Sequence, residues 1–295
     1  MKQARIGIIG GTGLAEALLK EGDGEPVEVD TPFGPPASKP ILANWQGAEV
    51  VFLSRHGEGH RFSPSAVPYR ANIWALKKLG VSTIIASGAT GSLREDFEPG
   101  HLVLCDQVID RTHRRESTFF DQGLAVHVEF ADPFCPRLRK LLAEAGQQVE
   151  TTVHHAGTYV CMEGPQFSTR AESNMHRQWG GDLIGMTCIP EAKLAREAQM
   201  CYALVAFPTD YDCWRPAETP RGKEALLKEI LSNLKTATTH AIRLIQETLK
   251  RPGMFEADCA CRGALKMAIW SDKSKVPSSV RERLDLLIGS HFADE

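Results

Sequence analysis

Short runs of β-branched and other apolar residues, each running into a glycine-rich or charged turn, alternate along this chain with segments of helical spacing. That alternation constrains the fold more than any other feature of the sequence. Nearly continuous apolar runs of strand length are what a sheet requires when both its faces are covered by helices. They fall at Arg5–Gly10, Glu49–Ser54, Thr83–Ser87, Leu102–Ile109, Thr158–Met162, Asp182–Met186 and Ala203–Phe207. Helical patterns lie between and after them: Tyr69–Leu79, with Ile73, Leu76 and Leu79 on one face, then Pro136–Ala145, Ser168–Trp179, Pro190–Glu197 and the long Lys223–Leu249. The expected fold is α/β, a single domain with a central mixed, largely twisted sheet flanked by helices. No linker separates two blocks of different composition, so the expectation is one domain over 1–295. Its core spans residues 5–250, and 251–295 forms a peripheral segment ending in a short helix near Ser279–Ile288.

Composition removes several classes of function. The longest apolar stretches, Ile6–Ile9 and Cys201–Pro208, are far shorter than the roughly 20 residues of a membrane span. The first residues lack the apolar region of a secretory signal, so a cytoplasmic protein without a membrane partner is expected. With 34 basic against 37 acidic residues and a formal charge of −3, no cationic excess is present to neutralise a nucleic-acid backbone. Eight cysteines are scattered along the chain and read as small buried hydrophobes. Cys259 and Cys261 are the only close pair. Without a second Cys or His pair at ligand spacing, no metal site is expected, and inert thiols or a redox-labile pair remain as readings.

Polar and glycine-rich segments follow the strands repeatedly, and in open α/β sheets that edge is where ligands bind. Gly10-Gly11-Thr12-Gly13 allows close approach of backbone N–H groups to an anion, with the Thr12 hydroxyl as a further donor; a plain tight turn is the competing reading. It is neither a Walker loop nor a dinucleotide fingerprint. Ser54-Arg55-His56-Gly57 places a planar guanidinium and an imidazole after a strand, donors suited to phosphate. Ser87–Ser92, rich in small residues, reads as a turn or bulge against which a ligand can lie. Phe167, after Glu163-Gly164-Pro165, is a residue for stacking on an aromatic ligand or a helix staple. Met186 is a cover for one sugar face or a core residue. Asp210 and Asp212, two residues apart after the apolar run Ala203–Phe207, form the sharpest constellation. Like charges held close raise one pKa and supply the protonated acid that acid catalysis near neutrality needs.

In their order, these segments resemble the trimeric purine-nucleoside phosphorylase superfamily, and within it the 5'-methylthioadenosine phosphorylase branch. The resemblance is carried by IGIIGGTG at Ile6–Gly13, DTPFG at Asp30–Gly34, RHG at Arg55–Gly57, ANIWAL at Ala71–Leu76, GSLR at Gly91–Arg94, PFCP at Pro133–Pro136, EGP at Glu163–Pro165, RAES at Arg170–Ser173 and TDYDCW at Thr209–Trp214. It implies a purine-nucleoside phosphorylase-like fold, a homotrimer, no cofactor, inorganic phosphate as co-substrate and a purine nucleoside as substrate. Position by position, it implies phosphate contacts from Thr12, Arg55, His56, the Gly88-Ala89 backbone and Thr187, with Met186 against the ribose. It implies that Asp210 and Asp212 read the purine beside Phe167 and Ser168, that His60 lies near the 5' substituent, and that His127 is lent by a neighbouring subunit. Relatives often carry Thr where this chain has Gly88, so one side-chain phosphate contact is expected to be missing. A 6-oxopurine or methylthioinosine phosphorylase, a water-using nucleosidase and a non-catalytic nucleotide-binding protein are the alternatives on the same fold.

Overall fold

The computed structural model describes residues 5–11, 24–215, 223–255 and 258–292. Its centre is formed by β1 (Arg5–Gly10), β4 (Ala48–Ser54), β5 (Val81–Ser92) and β11 (Cys201–Asp210), all mutually parallel where they pair. Side chains along each strand alternate between two buried clusters, as the two-residue period of a strand demands. Ile6 and Ile8, Val50 and Phe52, and Ala203, Val205 and Phe207 enter one cluster; Ile9, Val51 and Leu53, and Tyr202, Leu204 and Ala206 enter the other. Both faces are apolar, which is why these strands read as unbroken apolar runs rather than as alternating ones.

Helices cover the two faces. One cluster is closed by Leu138 and Leu142 of α2 (Pro136–Gly146) and by Ala237, Ala241, Leu244 and Ile245 of α5 (Lys223–Leu249). The other is closed by Ile73 and Leu76 of α1 (Tyr69–Lys78) and by Ala192, Leu194 and Ala195 of α4 (Cys188–Glu197). Local chemistry sets the helix starts. Helix α3 (Arg170–Gln178) begins with a reciprocal capping box in which the Thr169 hydroxyl accepts from the Glu172 N–H and the Glu172 carboxylate accepts from the Thr169 N–H. In α4, Ile189 is extended because it precedes Pro190, so regular helix runs from Pro190, the boundary expected from sequence.

Around the parallel centre the sheet becomes mixed, with eleven strands among the described residues. β2 (Glu25–Pro26) and β3 (Ile41–Trp45) extend it antiparallel beyond β4. β10 (Leu183–Gly185) pairs antiparallel with the far end of β5 and leads to β9 (Thr158–Met162) and β7 (Gln107–Arg111). β6 (Leu102–Leu104) pairs with β11 and with β8 (Val153–His154). The single run expected at Leu102–Ile109 is therefore two strands, because its halves pair with different partners. A second correction concerns Ser87–Ser92, which is not a turn but the second half of β5, held in extension by pairing with β11 and β10.

The segment beyond Lys250, expected to be peripheral, supplies Leu265, Ala268, Val276, Leu284, Leu287 and Ile288 to one buried cluster and Phe255 and Cys261 to the other. The last four residues named for the first cluster lie on or just before α6 (Ser278–Phe292). The same segment corrects the view of Cys259 and Cys261 as an isolated pair: the fold brings Cys135 and Cys201 to them. Among the described residues, no helix is long and apolar enough to cross a membrane.

Candidate active site

Strand β5 changes neighbours along its length. Its ladder to β1 runs as far as Ala86, and its ladder to β10 takes in only Gly91 and Ser92. Residues 87–90 therefore have no strand partner on that side among the described residues, and the sheet opens there at the carboxyl ends of β1, β4, β5 and β11. Such a switch point exposes backbone polar groups at the strand ends where a ligand fits. Gly88 and Ala89 stand at this opening, and Ala89 is exposed. A Cβ placed on Gly88 would meet only the Thr187 hydroxyl, at 3.8 Å, so Gly88 and Thr187 face one another across the opening.

Arg55 leaves the end of β4 and turns into the protein. Its Nε donates to Glu191 Oε2 at 2.7 Å, its Nη2 to Glu191 Oε1 at 2.8 Å and its Nη1 to the Ser87 carbonyl at 2.9 Å. The fork expected to grip phosphate thus grips a carboxylate on α4, and two of its five N–H groups remain beyond these contacts. Burial opposes the guanidinium charge, but the Glu191 carboxylate outweighs it and Arg55 is held protonated more firmly than a free arginine. Glu191 also accepts from the Tyr202 hydroxyl at 2.8 Å.

His56 follows at the opening. Its Nδ1 lies 2.8 Å from the Phe62 carbonyl, an oxygen that only accepts, so Nδ1 carries the proton. Burial first, and then the Arg55 charge, lower its pKa to about 4. The ring is neutral near pH 7 and presents Nε2 as an acceptor. His60 stacks on it at 4.1 Å between ring centroids and is itself exposed.

Asp210 is the last residue of β11, and Asp212 follows in the left-handed region at φ 49°. This turn lets the Asp212 N–H donate back to Asp210 Oδ1 at 2.7 Å, while the Thr209 hydroxyl donates to Oδ2 at 2.8 Å. Burial is the chief reason the Asp210 pKa is raised. These two donors pull it down, and the charge of Asp212 is the smallest upward push, which corrects the expectation that carboxylate repulsion dominates. Gly91 of β5 makes room for the pair: a Cβ there would lie 3.1 Å from Asp212 Cβ and 3.4 Å from Asp210 Oδ1.

Met186 and Thr187 form the turn between β10 and α4. A residue not singled out from sequence fixes this turn: Arg115, with a side chain 2% exposed, donates to the Met186 and Ile189 carbonyls at 2.6 Å and to the Glu163 carbonyl at 2.7 Å. Burial works against the Glu163 charge. Hydrogen bonds from Ser65 and the His113 N–H, with the Arg115 guanidinium, outweigh it and bring Glu163 to about 2. Met186 lies over Gly164, where a Cβ would come within van der Waals overlap of its sulfur. Beyond this loop Phe167 is 85% exposed, and the Ser168 carbonyl accepts from the Cys213 thiol at 3.3 Å, which joins the loop to the Asp210–Cys213 turn.

Arg55, His56, His60, Gly88, Ala89, Met186, Thr187, Asp210 and Asp212 are therefore carried by neighbouring strand ends, with Phe167 and Ser168 on the adjoining loop. Thr12 lies outside the described residues. His127 is placed apart. Its ring packs on Trp270 at 4.6 Å, its N–H donates to the Ala268 carbonyl, and it borders a groove of about 440 Å³ along the C-terminal segment. Glu191 and Arg115 escaped sequence reasoning because a Glu in the first turn of a helix and a loop Arg carry no local pattern of a site; only the distant partners define them.

Residues 5–250 match the family model described as the phosphorylase superfamily. This chain belongs to the phosphorylase superfamily. A protein of Geobacter sulfurreducens named S-methyl-5'-thioadenosine phosphorylase is 48% identical over 287 residues, covering 97% of this chain and 98% of its own. Among solved structures, a methylthioadenosine phosphorylase from an antarctic soil metagenomic library superposes with a TM-score of 0.89 at 41% identity, covering 97% of this chain and 99% of its own. A mutant adenosine/methylthioadenosine phosphorylase from Schistosoma mansoni in complex with methylthioadenosine has a TM-score of 0.78 at 33% identity, covering 98% and 99%. The superfamily match ends where the C-terminal segment begins, so the Cys259–Cys261 and Met267–Trp270 region lies beyond it.

Proposed function

We propose that this superfamily member is an S-methyl-5'-thioadenosine phosphorylase, releasing adenine and 5-methylthioribose 1-phosphate with inorganic phosphate as co-substrate. The observation that carries the reading is Asp210: a carboxyl held at the strand-end opening, with burial raising its pKa toward the range where an acid works near neutrality. Full-length relatives of that name support it.

In this reading phosphate lies at the opening of β5, held by the Gly88-Ala89 backbone, the hydroxyls of Thr12 and Thr187, His56 and the remaining N–H groups of Arg55. It attacks C1' as the glycosidic bond lengthens through an oxocarbenium-like state. Asp210 delivers a proton to N7 of the leaving purine, and Asp212 accepts from the 6-amino group. Acceptors that need an N–H partner reject a 6-oxo purine. Met186 covers the ribose, Phe167 becomes covered by the base, and His60 borders the 5' group. His127, packed against Trp270 of the C-terminal segment, serves a neighbour's pocket in a homotrimer. The protein acts in the cytoplasm in purine and methionine salvage. The deciding assay is phosphate-dependent adenine release from methylthioadenosine, with adenosine, methylthioinosine and inosine beside it. Equal turnover without phosphate, or preference for the 6-oxo substrates, overturns the reading.

A further inference from the structure

Four cysteines from three separate parts of the chain converge at the end of β11 remote from the opening just described. Cys135 precedes α2, Cys201 begins β11, and Cys259 and Cys261 belong to the C-terminal segment. Their four Sγ atoms all lie within 4.8 Å of one another, and Cys135 Sγ is 3.6 Å from Cys259 Sγ. Cys135, Cys201 and Cys261 are buried and Cys259 is half-buried. The backbone holds the first two in place, since the Cys135 N–H donates to the Tyr202 carbonyl at 2.8 Å.

The spacing discriminates between the chemistries open to four thiols. A tetrahedral ion with metal–sulfur bonds of about 2.3 Å sets its sulfurs about 3.8 Å apart. A disulfide needs about 2.0 Å and draws sulfurs together in pairs. A single group of four with an edge of 3.6 Å has the first form. The geometry points to a tetrathiolate site for a zinc ion, formed by Cys135, Cys201, Cys259 and Cys261, which fastens the C-terminal segment to the phosphorylase core. Four sulfurs leave no coordination position for water or substrate, as in structural rather than catalytic zinc sites. Along β11, Cys201 and Asp210 are separated by about 30 Å at the rise of an extended strand, so the ion takes no part in the chemistry. The complex of a dication with four thiolates carries two negative charges. The Arg137 guanidinium, donating to Cys201 Sγ at 3.7 Å, lies where it offsets part of that charge. Binding displaces the thiol protons to solvent.

The function of such a site follows from what the segment carries. Cys259 and Cys261 are followed by Leu265 and Ala268, buried in the core, and by Met267 and Trp270, exposed 88% and 72% beside His127. An ion joining this stretch to the first residues of α2 and β11 fixes the surface on which those side chains stand.

The test is metal analysis of the full-length protein purified under reducing conditions without chelator and incubated with zinc chloride, then desalted. About one zinc per chain is expected, and the Cys259→Ser/Cys261→Ser double variant should retain almost none. Replacing zinc with cobalt in the unmutated protein should give the visible absorption of a tetrahedral tetrathiolate cobalt centre, a readout that needs no variant to fold. Zinc bound equally by the double variant identifies an adventitious ion and overturns the proposal. So does a metal-free protein whose cysteines are found joined as disulfides, or one with free thiols that takes up neither ion.

Discussion

Arg55 and Glu191, 136 residues apart in the chain, form a two-pronged ion pair whose side chains are 1% and 0% exposed. The pair joins the end of β4 to α4 and, through the Ser87 carbonyl, to the part of β5 where the sheet opens. Its place at the opening makes it as much a support of the site as a contact within it.

Glu191→Gln keeps the shape of this joint but removes the charge that compensates Arg55. Breaking a buried pair from one side leaves an uncompensated charge, and a loss of about 3–5 kcal/mol is expected. Urea unfolding of the two proteins measures it. A variant as stable as its parent would show that Arg55 has another counter-charge.

Asp210→Asn preserves size but replaces a proton donor with an amide that only hydrogen-bonds. The kcat on methylthioadenosine should fall by roughly 10²–10⁴-fold. The amide also donates to a purine O6, so the relative rate on methylthioinosine should rise. An unchanged adenine rate without that shift would remove Asp210 as the purine-facing acid.

His56 with a pKa of about 4 is neutral in the free protein, and its Nδ1 proton is engaged by Phe62. Nε2 can face a phosphate dianion only with a proton, so phosphate binding should take one up, and phosphate affinity should weaken as pH rises above neutrality. Calorimetry of phosphate binding in buffers of different ionisation enthalpy reads that proton. The uptake should vanish in His56→Gln; uptake identical in the two proteins would place the proton elsewhere.

Glu197, near the end of α4, accepts from the Phe119 N–H at 2.8 Å and the Thr118 hydroxyl at 2.7 Å, yet burial raises its pKa to about 7. Its folded value is above its unfolded one of about 4.5. The folded state therefore binds the extra proton between pH 4.5 and 7, and stability falls as pH rises through that window. Glu197→Gln can accept from Phe119 and donate to Thr118 without a charge. Above pH 7 it should be more stable than its parent, on the order of 2 kcal/mol, with the advantage gone near pH 4. Parallel stability curves for the two proteins would refute this.

Gly88 has ordinary φ and space for a side chain toward Thr187. Gly88→Ser should fold and supply one more hydroxyl at the proposed phosphate position. A gain of about 1 kcal/mol, near fivefold in the KM for phosphate, is expected for one hydrogen bond. A raised KM would mean that the ligand needs the bare backbone.

The sequence by itself determined the strands whose faces are both buried and the helices between them, because burial on both sides imposes apolar runs that are local and readable. Thr158–Met162 agrees to the residue, and Arg5–Gly10 and Lys223–Leu249 end where the sequence places their ends. It also singled out Asp210, Arg55 and His56, since charged groups directly after apolar strands stand out from their surroundings. Tertiary structure decided what depends on partners far along the chain. Ser87–Ser92 is extended because β10 and β11 pair with it, though its small residues favour a turn. Arg55 turns toward Glu191 because α4 delivers a carboxylate to it from 136 residues along the chain. Cys259 and Cys261 gain two further thiols because the C-terminal segment packs on the starts of α2 and β11. Each is a contact between segments separated by many residues, and local propensity carries no information about which distant group will arrive.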